Sequence, residues 1–181
     1  YKHVRSETKM RPEEFRVGDN LQVTFPGGST RYYKVSGVDE VYYKDDSYAS
    51  IAAGATASYA AVGNLNPPAN QIYWFGSVSS QSNVRIQIKQ PASTDRLGVN
   101  LAPQGGFLFD SLPFFNTDEG NSGKIDLWFS QNNHPSTQVV NRTNVSITPV
   151  LMWIGRRFTI LDLGNASPGV VQKVKVGGLG D

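Results

Sequence analysis

A period of two in the placement of apolar side chains is the feature that most narrows what this chain can fold into. Val84, Ile86 and Ile88 alternate with Arg85, Gln87 and Lys89, and Leu21, Val23 and Phe25 alternate with Gln22 and Thr24 before Pro26, Gly27 and Gly28 force a turn. Successive side chains of an extended chain point to opposite faces, so such runs predict half-buried β-strands. Ile125, Leu127 and Phe129 share one face in the same way, opposite Lys124, Asp126 and Trp128. Residues 32–41, 72–78 and 170–176 read as further strands. Residues 145–154 and 158–163 are apolar on both faces, as central strands under a second layer are, with Gly155, Arg156 and Arg157 as the connection between them. The count is eight or nine strands, joined by loops rich in Gly, Pro, Asn and Ser.

Helix signals are poor beside these. Pro12 followed by Glu13 and Glu14 could open one short turn before Gly18. Residues 49–61 hold many alanines, yet Gly54, Thr56 and Ser58 interrupt them and no cap pair frames them, so strand is expected there over helix. Many short strands without helices predict an all-β fold, an antiparallel β-sandwich, and the strand count favours a jelly roll of about eight strands with extended termini. The expected division is an N-terminal arm over residues 1–20, one sandwich domain over 21–176 and a short tail over 177–181. A chain of 181 residues is long enough to bury a core without a metal or disulfide.

Composition removes several kinds of chemistry. The chain has no cysteine, which excludes disulfide scaffolds, thiolate metal sites and thiol nucleophiles. Seventeen basic residues against 15 acidic ones are too balanced for a dedicated nucleic-acid binder, and no apolar run approaches the ~20 residues of a transmembrane helix. His3 and His134 have no partner at metal-ligand spacing, no G-x-S-x-G elbow is present, and Ser111 or Ser122 would need one of those two histidines as a base. The pairs Asp39/Glu40, Asp45/Asp46 and Asp118/Glu119 are adjacent, so in extended chain their carboxylates point apart, whereas glycosidase chemistry needs two that face each other. Residues 116–121 are rich in loop oxygens but do not keep EF-hand calcium spacing, and the stretch G-N-S-G-K ending at Lys124 lacks the spacing of a phosphate loop. Asn141, Asn144 and Asn165 each open a formal glycosylation triplet. No enzyme activity, cofactor or metal is expected.

Charge is segregated along the chain. The first 46 residues contain sixteen Asp, Glu, Lys or Arg, and residues 47–84 contain none. Neutral core strands with neutral loops account for that; so does a surface that sits against another protein, because interface centres lose charge and gain aromatics. On the second reading Tyr59, Tyr73, Trp74 and Phe75 are the candidate subunit interface. Residues 1–16 carry eight charged side chains and almost no apolar periodicity before Phe15, which predicts an arm that orders on a neighbour, with Lys2, Arg5, Lys9 and Arg11 as its contacts. The pairs Tyr32/Tyr33 and Tyr42/Tyr43 place one ring on each face of a strand, so one of each pair could be exposed to a partner or a sugar.

The strand count, the neutral segment S-I-A-A-G-A-T-A-S at residues 50–58, the late apolar run V-L-M-W-I-G-R-R-F-T-I-L-D-L and the flanking termini together resemble the single-jelly-roll capsid proteins of tailless icosahedral DNA viruses. The resemblance is architectural and spans residues 21–176. It implies a virion shell subunit that meets copies of itself and other capsid proteins through the sides of the sandwich and its terminal arms, with no catalytic residues, no specific nucleic-acid site and no transmembrane segment. An extracellular carbohydrate-binding β-sandwich, using Tyr and Trp rings, is the alternative from a different class.

Overall fold

The computed structural model describes residues 14–25, 29–57, 65–89, 96–108, 114–116, 124–126, 128–131 and 136–175. Among them there are strands and no α-helix: β1 (Asn20–Thr24), β2 (Thr30–Ser47), β3 (Gln71–Ser80), β4 (Val84–Lys89), β5 (Arg96–Leu101), β6 (Gly106–Leu108), β7 (Phe114–Asn116), β8 (Lys124–Asp126), β9 (Trp128–Phe129), β10 (Ser136–Asn141), β11 (Val150–Gly164) and β12 (Gln172–Lys175). The large sheet has the order β12-β1-β2-β11-β3-β6, with β9 also paired to β3; β10-β4-β5 form a second sheet and β7-β8 a ribbon. The two sheets pack as the expected antiparallel sandwich, and the one parallel pair among the described strands, β1 with β12, closes an edge of the large sheet.

Alternation in the sequence becomes alternation in burial. In the small sheet Val84, Ile86 and Ile88 of β4 are fully buried beside Val99 and Leu101 of β5 and Val139 of β10, while Arg85, Gln87 and Gln138 stay half-buried on the other face. They join Val23, Val35, Val78, Leu151 and Trp153 of the large sheet in one apolar cluster. Each fully buried aliphatic side chain contributes about 1.5–3 kcal/mol, so this face-to-face contact dominates the stability of the sandwich.

β11 is the spine of the large sheet. It pairs antiparallel with β2 from Val150 opposite Ser47 to Gly164 opposite Tyr32, and with β3 from Leu151 opposite Ser80 to Thr159 opposite Gln71. The sequence reads Gly155, Arg156 and Arg157 as a connection between two strands; the structure carries one strand straight through them. The register slips beside Gly155 on both sides, against β3 between Ile154 and Gly155 and against β2 between Gly155 and Arg157. This double bulge lets a strand of this length follow the twist of the sheet. Glycine is required there because a Cβ would overlap the carbonyl oxygen of Trp74 and lie 2.6 Å from the Cα of Phe75.

Three other expectations change in detail. The run from Lys124 to Phe129 is divided between β8, which pairs β7, and β9, which pairs β3, and Trp128 and Phe129 are both fully buried, so its period of two does not belong to one strand. Residues 49–57 form neither strand nor helix. Isolated bridges at Ile51–Ile147 and Thr56–Val140 flank a turn in which Gly54 takes a φ of 72° and Ala55 N–H donates to Ala52 C=O at 3.0 Å. The arm expected to residue 20 is docked from Phe15, whose ring is buried against Trp128 and Phe158 at 5.4 and 5.5 Å between centroids. Residues 1–13 and the 177–181 tail lie outside the described residues.

Replacing Gly155 by Ala is expected to cost more than about 3 kcal/mol in chemical denaturation, because the clash is with backbone on the neighbouring strand. Gly164→Ala is the control: Gly164 has a φ of 78° with open space around it, so only the backbone strain of about 1 kcal/mol is expected. Equal losses at the two positions would contradict the close approach of β11 to β3.

Candidate interaction surface

Of the rings expected at an interface, Tyr73, Trp74 and Phe75 are 3%, 7% and 0% exposed. They fill the chain's own core and offer no surface to a neighbour. Tyr59 lies outside the described residues, as do the arm contacts Lys2, Arg5, Lys9 and Arg11, the histidines His3 and His134, Ser111, Ser122, Asp118 and Glu119. The charge-free stretch is therefore explained in large part by β3, which is buried from Ile72 to Gly76, and by exposed neutral loops at Ala52, Ala53 and Asn66. Phe75 packs on Phe129 at 5.5 Å and on Trp153 at 5.7 Å, and Tyr73 on Tyr42 at 5.0 Å. Burial and the neighbouring Tyr42 push the Tyr73 phenol above its ordinary range. The Tyr42 ring also lies 4.5 Å beneath the Arg157 guanidinium, which Asp39 holds through a 2.6 Å ion pair.

Exposed large apolar side chains among the described residues include Val17, Val145, Leu161, Leu163 and Val170, and a further group on the outer face of the large sheet. In β11 Leu151 and Trp153 are fully buried, while Val150 and Met152 between and beside them are 44% and 39% exposed; in β2 Val41 and Tyr43 are 61% and 60% exposed. Register brings them together, since Met152 stands opposite Asp45 and Ile154 opposite Tyr43, with Ser79 and Ser77 across on β3. The result is one row, Val41, Tyr43, Ile154, Met152 and Val150, over the two central strands. Tyr43 is thus the outward ring of its pair, as strand alternation requires, while Tyr42 is half-buried. A shallow groove of about 390 Å³ continues the row past Val150 and Met152, bordered by Asp45, Ser79, Gln81 and Gln104. Gln104 has a φ of 57°, a left-handed conformation uncommon for a residue with a side chain. Its turn is tied to β3 by Gln104 N–H donating to Ser80 C=O at 2.6 Å.

The carboxylates of one adjacent pair point apart: Asp45 is exposed beside Met152, and Asp46 is fully buried. Tyr48 O–H donates to Asp46 Oδ2 at 2.8 Å and lies 3.0 Å from Thr137 Oγ1 of β10, so a polar link joins the large sheet to the small one. Burial, and then the Asp46 charge, raise the Tyr48 phenol well above its ordinary range, which keeps its proton in place as a donor. Asn141 makes a second link. It is fully buried, its amide donates to the carbonyls of Ile51, Ala52 and Val145 at 3.0, 3.1 and 2.7 Å, and it is therefore closed to glycosylation; Asn144 and Asn165 are exposed.

Among the described residues no three His, Asp or Glu side chains group to hold a metal, and no helix is long and apolar enough to cross a membrane. Neither a protein-family pattern nor a curated protein matches the chain.

Tyr48→Phe is expected to lower stability by about 1–3 kcal/mol, since it removes a donor from a buried carboxylate. Chemical denaturation measures this, and a change within about 0.5 kcal/mol would mean that the hydroxyl carries no part of the link between the sheets.

Proposed function

We propose that this protein is a structural subunit of a virion shell, of the kind its sequence resembles, and that it assembles by packing the outer face of its large sheet against another copy of itself. The observation that carries this reading is the uncovered row of Val41, Tyr43, Met152 and Val150 on the two central strands. An antiparallel sheet with one face in water alternates apolar inside with polar outside, and a contiguous apolar row on the outside marks a contact surface. Sheets stack face to face about 10 Å apart by interdigitating such side chains.

Charge favours a copy of the chain over a nucleic acid as the occupant. The groove that continues the row is bordered by the carboxylate of Asp45 and by no Lys or Arg, so it offers no basic excess for a phosphate backbone. Ser77, Ser79 and Gln104 supply the polar rim of an interface whose centre is apolar. Residues 1–13, with Lys2, Arg5, Lys9 and Arg11, serve in this reading as the arm that reaches a neighbouring subunit, and other shell proteins are further partners.

Sedimentation velocity between about 1 and 100 μM tests the proposal, a range that covers weak but specific contacts. The chain is expected to self-associate, and Met152→Arg to weaken association at least about ten-fold with an unchanged circular dichroism spectrum, because an unpaired charge is costly in a desolvated contact. A wild-type chain that stays monomeric throughout, or a variant that associates as well as wild type, would overturn it.

A further inference from the structure

At the other end of the large sheet, the start of β2, the end of β11 and the start of β3 enclose a second cavity of about 390 Å³. Its walls include Phe25, Arg31, Tyr33, Gln71, Ile160 and Asp162. We propose that this mouth of the sandwich binds an uncharged saccharide. The inference stands apart from self-assembly, since none of these residues belongs to the apolar row.

The register of the sheet sets the wall. Tyr33 stands opposite Leu21 on β1 and Asp162 on β11, and Ile160 N–H donates to Asn70 C=O at 2.9 Å, which holds the turn before β3 against β11. The polar groups are arranged in advance. Arg31 Nη2 donates to Asp162 Oδ2 at 2.7 Å, and Gly164 N–H donates to Asp162 Oδ1 at 2.8 Å. The Gly164 N–H, with Arg31 adding to it, holds the Asp162 carboxyl below the usual carboxylate range, so it is an acceptor at neutral pH. Tyr73 O–H donates to Gln71 Oε1 at 3.3 Å, which directs that amide and leaves its nitrogen as the donating end. Arg31 has five N–H donors, more than one carboxylate oxygen uses.

Ligand chemistry follows from this set. A carboxylate acceptor beside guanidinium and amide donors matches vicinal hydroxyls, each of which both donates and accepts. The Phe25 and Tyr33 rings, half-buried against the core, give an apolar wall for the C–H face of a sugar ring. Arg31 and Asp162 are the two charged residues of the wall and cancel, which disfavours an anion such as a phosphate or a sialic acid. The volume is near the low end of the ~300–1,000 Å³ common for small-molecule sites, enough for one or two sugar rings.

Ligand-observed NMR titration tests the site with glucose, galactose, mannose, N-acetylglucosamine and lactose, and with N-acetylneuraminic acid as the charged comparison. At least one neutral sugar is expected to bind saturably, and Asp162→Asn and Gln71→Ala to weaken it, the former roughly ten-fold for loss of a charged hydrogen bond. Both positions are outside the closed core, so circular dichroism of the variants should match wild type. The same titration on Met152→Arg separates the two proposals, because sugar binding should persist there whatever happens to association. No saturable binding by any neutral sugar, tighter binding of N-acetylneuraminic acid, or wild-type binding in both pocket variants would each overturn the inference.

Discussion

The large sheet depends on one constraint, the passage of β11 between β2 and β3 with no side chain at Gly155. β11 holds backbone partners on both sides over most of its length, and an unpaired stretch of buried backbone there would cost far more than any single side-chain contact returns. At Gly155 the backbone of Trp74 and Phe75 approaches too closely for a Cβ. The slips of register around that point then decide which residues face outward on either side of it. Val150 and Met152 emerge on the outer face before the bulge, and Ile160 and Asp162 line the mouth of the sandwich after it.

Apolar packing does not by itself fix how the two sheets meet at their ends. Two polar links supply that definition. Asp46, Tyr48 and Thr137 connect β2 to β10, and Asn141 ties the turn at residues 51–54 to the small sheet. Buried polar groups of this kind are costly unless satisfied, so they discriminate against arrangements that leave them unpaired. Rigid ends matter for function because contact surfaces and pockets on a sandwich are built from the strand termini and the residues they carry.

Much of the fold was legible in residue spacing. Val84, Ile86 and Ile88 are buried in the strict alternation that their spacing predicts, and β1, β3 and β12 lie close to their expected ranges. Gly155 misleads because a glycine followed by two arginines has the composition of a turn, and only the proximity of β3 reveals that it is a close crossing instead. Three of the rings read as interface, Tyr73, Trp74 and Phe75, are buried in the chain's own core, and they mislead for a related reason. Absence of charge is common to a core strand and a docking surface, and the sequence of Tyr73, Trp74 and Phe75 does not separate them. The row from Val41 to Met152 left a faint signal, a Val and a Tyr two residues apart among the charges of β2, but its joining to Val150 and Met152 requires the pairing of strands more than a hundred residues apart. The pocket at Arg31 and Asp162, 131 positions apart, has no local signature at all.

Spin-label dipolar spectroscopy tests the central claim, contact through the outer face of the large sheet, most directly. The chain has no cysteine, so Ser79→Cys, beside Met152 in register, carries the only label, and Gln138→Cys on the outer face of the small sheet serves as the comparison. Sheets that stack about 10 Å apart bring labels at position 79 of two copies within a tether length of each other. The account predicts short interlabel distances that grow in population with protein concentration at position 79 and are absent at 138. Association that yields short distances at 138 and none at 79 would contradict it.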